Sequence, residues 1–442
     1  MGVIRIMNVL ASTGNERGVA TIIVALSLLM LAGFAALAID VGHIMVVRNE
    51  LQNAADAAAL AGARSLYNSE GTAINTDVNQ IARDTAIANL SESNPVEVSW
   101  TGGNTGDVQR GHWSFGLSDL SRGFYPADAT TPVDLWGYTK EDLDADVNFI
   151  NAVQVTVRRQ ASPVQTFFGQ IFGLNNIDMS ATSVAYLGFA GTVYPEAVTA
   201  PIAVCEHAIT TADGRLACNI GRMTSGVGET AAWTDFNQED PCLGGTNDQK
   251  IRQLIPNVCS PHDYSDGNPR TIEMGQHMAV INGQVNQSYM KFYNCWEEAS
   301  GRNSTQRMIL PVIECSETGG NVTVCAKTTG VVEVELIWMT WWGADPDYSM
   351  VPAAMEGVND TPDWSSASDC ACSAITDARE RGQCIWNCFV SHFGLTDGNG
   401  SPAPYQIMSL YYRPNCDYTK APMGRTGGEN YGILAAIPVL VD

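Results

Sequence analysis

An uninterrupted apolar segment constrains the architecture of this chain more than any other feature. Twenty-one consecutive residues, Val19 to Ile39, include no side chain that ionises. As a helix with 1.5 Å of rise per residue, such a segment is roughly 30 Å long, which matches the hydrocarbon thickness of a bilayer. The sequence therefore predicts one transmembrane helix over residues 19–39, with residues 1–18 as a cytoplasmic N-terminus.

A cleaved signal peptide is the main alternative for this segment, because Ala36-Leu37-Ala38 resembles a small-residue cleavage site. The apolar run is longer than the 7–15 residues, approximately, that are usual for signal peptides. A retained anchor in a bacterial inner membrane is therefore favoured. Arg5 and Arg17 precede the run and Asp40 follows it, so the positive-inside rule predicts a body outside the cytoplasm, in the periplasm or beyond.

The acidic balance of the chain excludes one class of partner. The 442 residues include 24 Lys and Arg against 47 Asp and Glu, a formal net charge of -23. Such a surface repels phosphate backbones, so we expect no nucleic-acid partner. The length and the 45% hydrophobic content are sufficient for several packed domains.

Twelve cysteines, all after residue 204, indicate an oxidising compartment. An even number confined to one part of a chain predicts a disulfide framework, although the pairing cannot be derived from the sequence. Metal binding and redox chemistry are less favoured, because the spacing does not fit a zinc knuckle. The candidate disulfide residues are Cys205, Cys218, Cys242, Cys259, Cys295, Cys315, Cys325, Cys370, Cys372, Cys384, Cys388 and Cys416.

A second helical pattern follows the apolar run. Residues 43–66 are rich in strong helix formers and contain no proline, which predicts an extracytoplasmic helical segment within residues 40–90. A narrow stripe of small and apolar residues could pack within the molecule or against a helix of a partner. The stripe consists of Ile44, Val47, Leu51, Ala55, Ala58 and Gly62.

These segments together resemble a known family. Arg17 to Ala20, Ala38 to Gly42 and the string LQNAADAAALAGA from Leu51 to Ala63 resemble the N-terminal TadE/TadG-like segment of Tad (Flp) pilus proteins, particularly the TadG-related branch. A weaker similarity continues through Asn151–Val157, Phe167–Leu174 and Ala181–Ala185 to about residue 200. The resemblance implies a pilus-associated envelope protein whose C-terminal domain differs between members.

The sequence departs from the family pattern at two places. TadE-type pseudopilins carry a glutamate five residues after the processed glycine, whereas Ile23 stands five residues after Gly18 here. Some TadG relatives carry a von Willebrand A metal site, but the most similar string, Asp363 to Ala367, lacks the second serine. We therefore expect neither prepilin-type processing nor that metal site.

The predicted fold class is α+β. The transmembrane helix continues into an Ala-rich helix, a TadG-like α+β region follows over residues 91–200, and residues 201–442 form a β-rich, disulfide-stapled domain. We expect a short helix within Gln165–Leu174 that packs Phe167, Phe168 and Phe172, and a loop-dominated stretch over residues 345–430. The predicted strands are Val96–Trp100, His112–Phe115, Val153–Val157, Met308–Cys315, Val322–Cys325, Val331–Trp342 and Tyr431–Val441.

Motifs for catalysis are lacking in the sequence. It contains no nucleophile elbow, phosphate-binding glycine loop or His-Glu-x-x-His string, so we predict no catalytic, cofactor or metal residues, no small-molecule substrate and no enzyme. Asp142–Asn148 and Asp397–Ser401 space oxygen ligands as cation loops do, but solvated turns are the simpler interpretation. The sequence predicts a structural or assembly component of a Tad pilus that contacts the inner membrane through residues 19–39 and other pilus or envelope proteins. A surface-displayed adhesin with a disulfide-rich head is the alternative.

Overall fold

The computed structural model describes residues 16–68, 73–135, 137–195, 197–210, 223–224, 230–239, 245–257, 259, 270–281, 285–315, 324–340, 351, 370–395, 402–412 and 424–441. Several predictions fall outside these residues. They concern residues 1–15, Cys218, Cys242, Cys416, the cation loop Asp397–Ser401 and the string Asp363–Ala367.

One helix, α1 (Glu16–Arg64), contains both the apolar run and the Ala-rich segment without a break. The apolar half is exposed, whereas one face of the second half is buried from Val47 onward. Among the described helices, α1 is the one that is long and apolar enough to cross a membrane, by length and composition. The predicted helix over residues 19–39 and its continuation are confirmed.

The predicted helical segment within residues 40–90 contains two helices with a turn between them. The side chain of Asn75 donates to the carbonyl of Ser65 at 2.9 Å, and the Asn75 amide donates to the Leu66 carbonyl at 2.9 Å, so the chain turns after α1. A second helix, α2 (Val78–Ile87), then packs back on α1 through Val78, Ala82 and Ala86. These three residues recur every four positions and therefore share one face of α2.

A five-stranded antiparallel sheet covers the buried face of α1. Its strand order is β17-β6-β5-β3-β4, and its β5–β6 hairpin is the longest pairing. The predicted strands at His112–Phe115 and Val153–Val157 lie in this sheet. A two-stranded hairpin precedes it. The strands are β1 (Leu90–Ser91), β2 (Asn94–Pro95), β3 (Val108–Ser114), β4 (Gly123–Pro126), β5 (Ala152–Gln165), β6 (Asn176–Tyr186) and β17 (Val439–Val441).

A second β system occupies the Cys-rich half. Strands β12, β10, β8, β13 and β14 form a closed ring because β12 pairs with both β10 and β14, while β15 and β9 extend it beyond β14. Strands β11, β7 and β16 form a separate small sheet. The strands are β7 (Ala190–Val193), β8 (Ile202–Cys205), β9 (Met223–Thr224), β10 (Ala231–Thr234), β11 (Ile272–Glu273), β12 (His277–Ile281), β13 (Gln306–Ile313), β14 (Cys325–Met339), β15 (Ser409–Tyr412) and β16 (Gly424–Thr426).

Helices surround this second system and supply much of its core. Trp296 and Trp386 are fully buried on two of them, and both belong to one cluster with Trp338 of β14. The remaining helices are α3 (Lys140–Ala145), α4 (Glu206–Ile209), α5 (Asp248–Leu254), α6 (Asn286–Ser300) and α7 (Ala378–His392).

Four of the sequence predictions need correction. The stretch 345–430 was expected to be loop-dominated, but its described residues include α7 and β15, and Trp386 and Phe389 of α7 are buried. Val96–Trp100 is not a strand; its Glu97 makes one bridge to Arg158. In Tyr431–Val441 only Val439–Val441 forms a strand.

The fourth correction concerns Gln165–Leu174. A 3-10 turn over Gly169–Phe172 is present, but Phe167 and Phe172 are exposed instead of packed. The domain boundary at residue 200 stays a prediction. Strand β17, from the predicted C-terminal domain, pairs with β6 of the region before it.

Candidate functional site at the helix–body junction

The carboxylate of Asp40 joins the apolar half of α1 to the folded body. It accepts the amide of Phe167 at 2.7 Å, the amide of Gly169 at 2.7 Å and the amide of Phe168 at 3.1 and 3.2 Å. These amides begin the 3-10 turn, where backbone donors have no partner inside the turn. Asp40 therefore caps a turn that is distant in sequence.

The cap also affects the ionisation of Asp40. This residue is only 6% exposed. Desolvation favours the neutral acid, but the hydrogen bonds from Phe167, Gly169 and Phe168 outweigh it and lower the pKa of Asp40. The carboxylate is therefore charged at neutral pH. An ionised acceptor makes stronger hydrogen bonds than a neutral one, which strengthens the junction.

One helical turn further along α1, a network of charged and polar side chains attaches the helix to the body a second time. His43 contacts the Glu92 carboxylate through Nε2, and Arg159 of β5 lies 3.2 Å from the other Glu92 oxygen. The His43 ring also lies 4.9 Å from the Phe167 ring, centroid to centroid. Glu50 accepts the Glu92 amide at 3.0 Å. The β1–β2 turn and β5 are thus held to the same part of α1.

Near its far end, α1 packs tightly against the body at Gly62. A Cβ atom on Gly62 would lie 2.8 Å from Cγ1 of Val153 and 3.0 Å from Cβ of Ala82. Only glycine therefore lets β5 and α2 approach α1 together at this point. Val153 lies beside Gly62, and Phe167 lies beside Asp40. Strand β5 therefore runs antiparallel to α1, and the tip of the β5–β6 hairpin lies at the apolar half of the helix.

The small-residue stripe lies between these two attachments. Val47, Leu51, Ala55 and Ala58 are fully buried in one cluster with Val155 and other side chains of the sheet. The interpretation as intramolecular packing is confirmed for these residues. Ile44, at the start of the stripe, is only partly buried.

Glu97 makes a similar cap at the other side of β5. Its carboxylate accepts the amides of Gln160, Ala161 and Ser162 at 2.8 to 2.9 Å, and the Ser162 hydroxyl at 2.6 Å. Desolvation opposes ionisation, but the Ser162 hydroxyl and the three amides together lower the pKa of Glu97 to about 2. This carboxylate stabilises the irregular part of β5 that leads to the hairpin tip.

Disulfides connect elements of the second half. Cys205, at the end of β8, pairs with Cys315 across 110 residues of sequence, with Cα atoms 5.4 Å apart. Three further bridges join Cys259 to Cys295, Cys370 to Cys388, and Cys372 to Cys384. Cys325 is also disulfide-bonded. The sulfurs of Cys372, Cys384 and Cys388 lie within 4.8 Å of one another, but all three are engaged in these bridges.

The first candidate cation loop has a structural role. Asp142 forms a capping box with Thr139 at the start of α3. Asp144 is buried and accepts the Ser114 hydroxyl at 2.9 Å and the amides of Phe115 and Leu117 at 2.7 and 2.8 Å. Protein donors therefore occupy both carboxylates, and Asp144 connects α3 to the end of β3.

A cavity of about 110 Å³ lies beside Asp144. His112 lines it, but both ring nitrogens lie 3.0 Å from backbone oxygens, of Phe149 and Asp144. Lys140 lines it too and donates to Glu429 at 2.5 Å. The His112 ring and the Lys140 amine are thus already engaged by other groups of the protein.

The sequence did not single out Asp40, His43, Glu92 or Glu97 as a group. One signal was present, because Asp40 is the first ionisable residue after the apolar run and still lies within a helix. An acid at that position needs a compensating set of donors. The first of those donors, the Phe167 amide, lies 127 residues later in the chain. Only the fold shows that it meets Asp40.

Comparison with known proteins finds matches in the part of the chain that contains the junction. The family model for TadE/G-like Flp pilus assembly matches residues 18–65, and the model for Tad-like Flp pilus assembly matches residues 61–185. No curated protein and no solved structure matches the chain. The two matches cover α1, α2 and the hairpin that Asp40 caps. Residues 18–185 are therefore similar to the N-terminal domains of Tad (Flp) pilus-assembly proteins, over less than half of the chain.

Proposed function

We propose that the protein is a membrane-anchored, extracytoplasmic structural component of a Tad (Flp) pilus assembly. The continuity of α1 is the observation that carries this proposal. The same helix has an exposed apolar half and a second half that forms the core of the folded body. A bilayer around the first half removes some twenty apolar side chains from water, which is the main driving force for insertion.

The disulfides and the charge pattern support the proposed compartment. Bridges such as Cys205–Cys315 persist in the periplasm and outside the cell but are rare in the cytosol. The positive charges of Arg5 and Arg17 favour the cytoplasmic side for the residues before the span. We propose an inner-membrane protein with residues 19–39 as its span and the body on the periplasmic side.

The body acts by position and not by covalent chemistry in this proposal. The described carboxylates of the candidate cation loop, Asp142, Asp144 and Asp146, all accept hydrogen bonds from protein donors. Residues 40–200 fix the body to the membrane through Asp40 and the buried stripe. Residues 201–442, outside the two family matches, select the pilus or envelope partner.

Fractionation of cells that produce the full chain tests the anchor. We expect the protein in the membrane fraction after alkaline carbonate extraction. The double substitution Leu29→Arg and Leu31→Arg, in the exposed apolar half of α1, is expected to release it. The matched control is Leu90→Arg with Leu117→Arg, at two exposed leucines of the body, which leaves the protein in the membrane.

Protease accessibility tests the compartment and separates the two functions. An assembly component in the inner membrane is protected in intact cells and is cleaved after the outer membrane is opened. Cleavage in intact cells contradicts this proposal and supports the surface-displayed adhesin. Protection in opened cells as well places the body in the cytoplasm and contradicts both.

A further inference from the structure

The tip of the β5–β6 hairpin exposes an unusual amount of apolar surface. Phe172 is 80% exposed and Ile171 is 76% exposed, and both follow Gly169 in the 3-10 turn. Three more apolar side chains are exposed on the same tip, which we call the apolar tip: Phe167, Phe168 and Leu174. Apolar side chains concentrated in this way mark an interaction surface.

The backbone of the apolar tip is closed by its own hydrogen bonds. Leu174 donates to Gly169 at 3.0 Å, Gly173 to Gln170 at 3.1 Å, and the Gln170 side chain to Thr166 at 2.7 Å. Gly173 adopts a positive φ of 80°, which ends the turn at little steric cost. Together with the Asp40 cap, these bonds hold the apolar side chains outward on a fixed backbone.

The position of the tip points to the bilayer as its partner. Asp40 comes directly after the apolar run of α1 and holds the amides of Phe167 and Gly169 at 2.7 Å. On α1 itself, Leu37 and Met45 are exposed on either side of Asp40. The apolar tip therefore lies beside the end of the apolar run of the helix that is proposed to span the membrane.

The chemistry of the tip suits a lipid interface. From Thr166 to Ile177 no residue is ionisable, so burial in lipid desolvates no charge. Three of the exposed side chains are phenylalanines, and apolar and aromatic side chains insert at the boundary between headgroups and acyl chains. The amides of Ile171, Gly173 and Leu174 donate within the turn, and those of residues 167–169 donate to Asp40, which lowers the cost of placing this non-helical segment at a lipid interface.

We propose that the apolar tip inserts into the outer leaflet of the membrane that α1 spans, as a second, shallow attachment. It fixes how deep the body sits and how it is rotated about α1. This inference rests on the proposed membrane anchor. A pilus protein that covers the tip is the competing occupant, and the experiment below distinguishes the two.

Photo-crosslinking of the full chain in its native membrane tests the inference. p-Benzoylphenylalanine replaces one residue at a time: Phe172 on the tip, Leu31 in the apolar half of α1, and Leu117 as the matched control. Leu117 is 49% exposed and follows β3 at the opposite end of the sheet from the tip. All three side chains are exposed, so the substitutions leave the core intact. The adducts are identified by mass spectrometry as lipid or protein.

The expected result is lipid adducts at Leu31 and Phe172, with about tenfold less lipid adduct at Leu117, because a shallow attachment leaves the far end of the body in water. Lipid at Leu31 with none at Phe172 overturns the inference and leaves the anchor intact. Protein adducts in place of lipid at Phe172 overturn it in favour of a pilus partner. No lipid at Leu31 overturns the anchor, and the inference with it.

Discussion

The carboxylate of Asp40 accepts the amide of Gly169 at 2.7 Å, although 129 residues separate them in the sequence. This bond and its neighbours attach the tip of the β5–β6 hairpin to α1 at the end of the apolar run. At the other end of the hairpin, Gly62 lies against Val153. The helix is fixed at two points, so the body is expected to turn with the helix instead of swinging on a flexible linker.

Replacing Asp40 with alanine should release the hairpin tip. The amides of Phe167, Phe168 and Gly169 lose their acceptor, and Asp40→Asn retains only a neutral one. We expect hydrogen exchange at residues 167–169 to become faster by about one order of magnitude or more in Asp40→Ala, with a smaller effect in Asp40→Asn. Exchange is measured by mass spectrometry on the full chain in detergent.

The matched control for Asp40 is Asp178→Ala, at an exposed acid of β6 close to the same tip. It should leave exchange at residues 167–169 unchanged. Equal exchange in Asp40→Ala and in the original chain would show that the cap does not hold the tip.

Gly62 should tolerate no larger side chain. A leucine there collides with Val153 and Ala82, so Gly62→Leu is expected to lower the free energy of unfolding of the body by about 1–3 kcal/mol. Gly42→Leu is the control in the same helix, since no atom lies within 4 Å of a Cβ at Gly42. Thermal unfolding of both variants in detergent checks the difference. Equal midpoints would contradict the close approach of helix and sheet.

Glu97 should make the body sensitive to acid. Its pKa is about 2 in the folded protein against the ordinary value of 4.5, so the folded state binds the proton less readily than the unfolded chain. The stabilisation is complete above the ordinary pKa and is lost as pH falls through about 2. Glu97→Gln should lower stability by about 1 kcal/mol at neutral pH, after allowance for solvent screening, and flatten the decline between about pH 5 and 2. An unchanged pH profile in Glu97→Gln would contradict the role of this cap.

The disulfides should differ in their effect on stability. Cys205 and Cys315 close a loop of 110 residues, whereas Cys372 and Cys384 close one of 12. In the chain-entropy account, removing the long bridge costs about 5 kcal/mol and the short one about 3 kcal/mol. Denaturant unfolding of the paired cysteine-to-alanine variants measures this order. The reverse order would show that the loops are already restrained in the unfolded chain.

The sequence predicted the elements with strong local signals. The apolar run and the alanine-rich stripe specify α1 because both patterns extend over many residues with helical period. The strands around His112 and Val153 were also predicted from local sequence pattern. Helix α7 was missed, because cysteines and polar residues obscure the pattern that buries Trp386 and Phe389.

The candidate site was harder to predict than the fold. Phe167 and Phe172 are apolar residues in a folded region, so a buried position was the natural expectation, yet both are exposed at the hairpin tip. The Asp40 carboxylate holds the tip through residues that are distant in sequence. No local sequence pattern predicts this cap. The disulfide pairs likewise depend on which strands become neighbours in the ring.

Peptide mapping of the protein extracted from membranes without reductant tests the central claim most directly, namely that one uncleaved helix joins the membrane to a disulfide-bonded body. The account predicts that the membrane-bound chain contains the peptide spanning Val19–Ile39 and that the Cys205 peptide is linked to the Cys315 peptide. A soluble product that starts near residue 39, or free thiols at both cysteines, would contradict it.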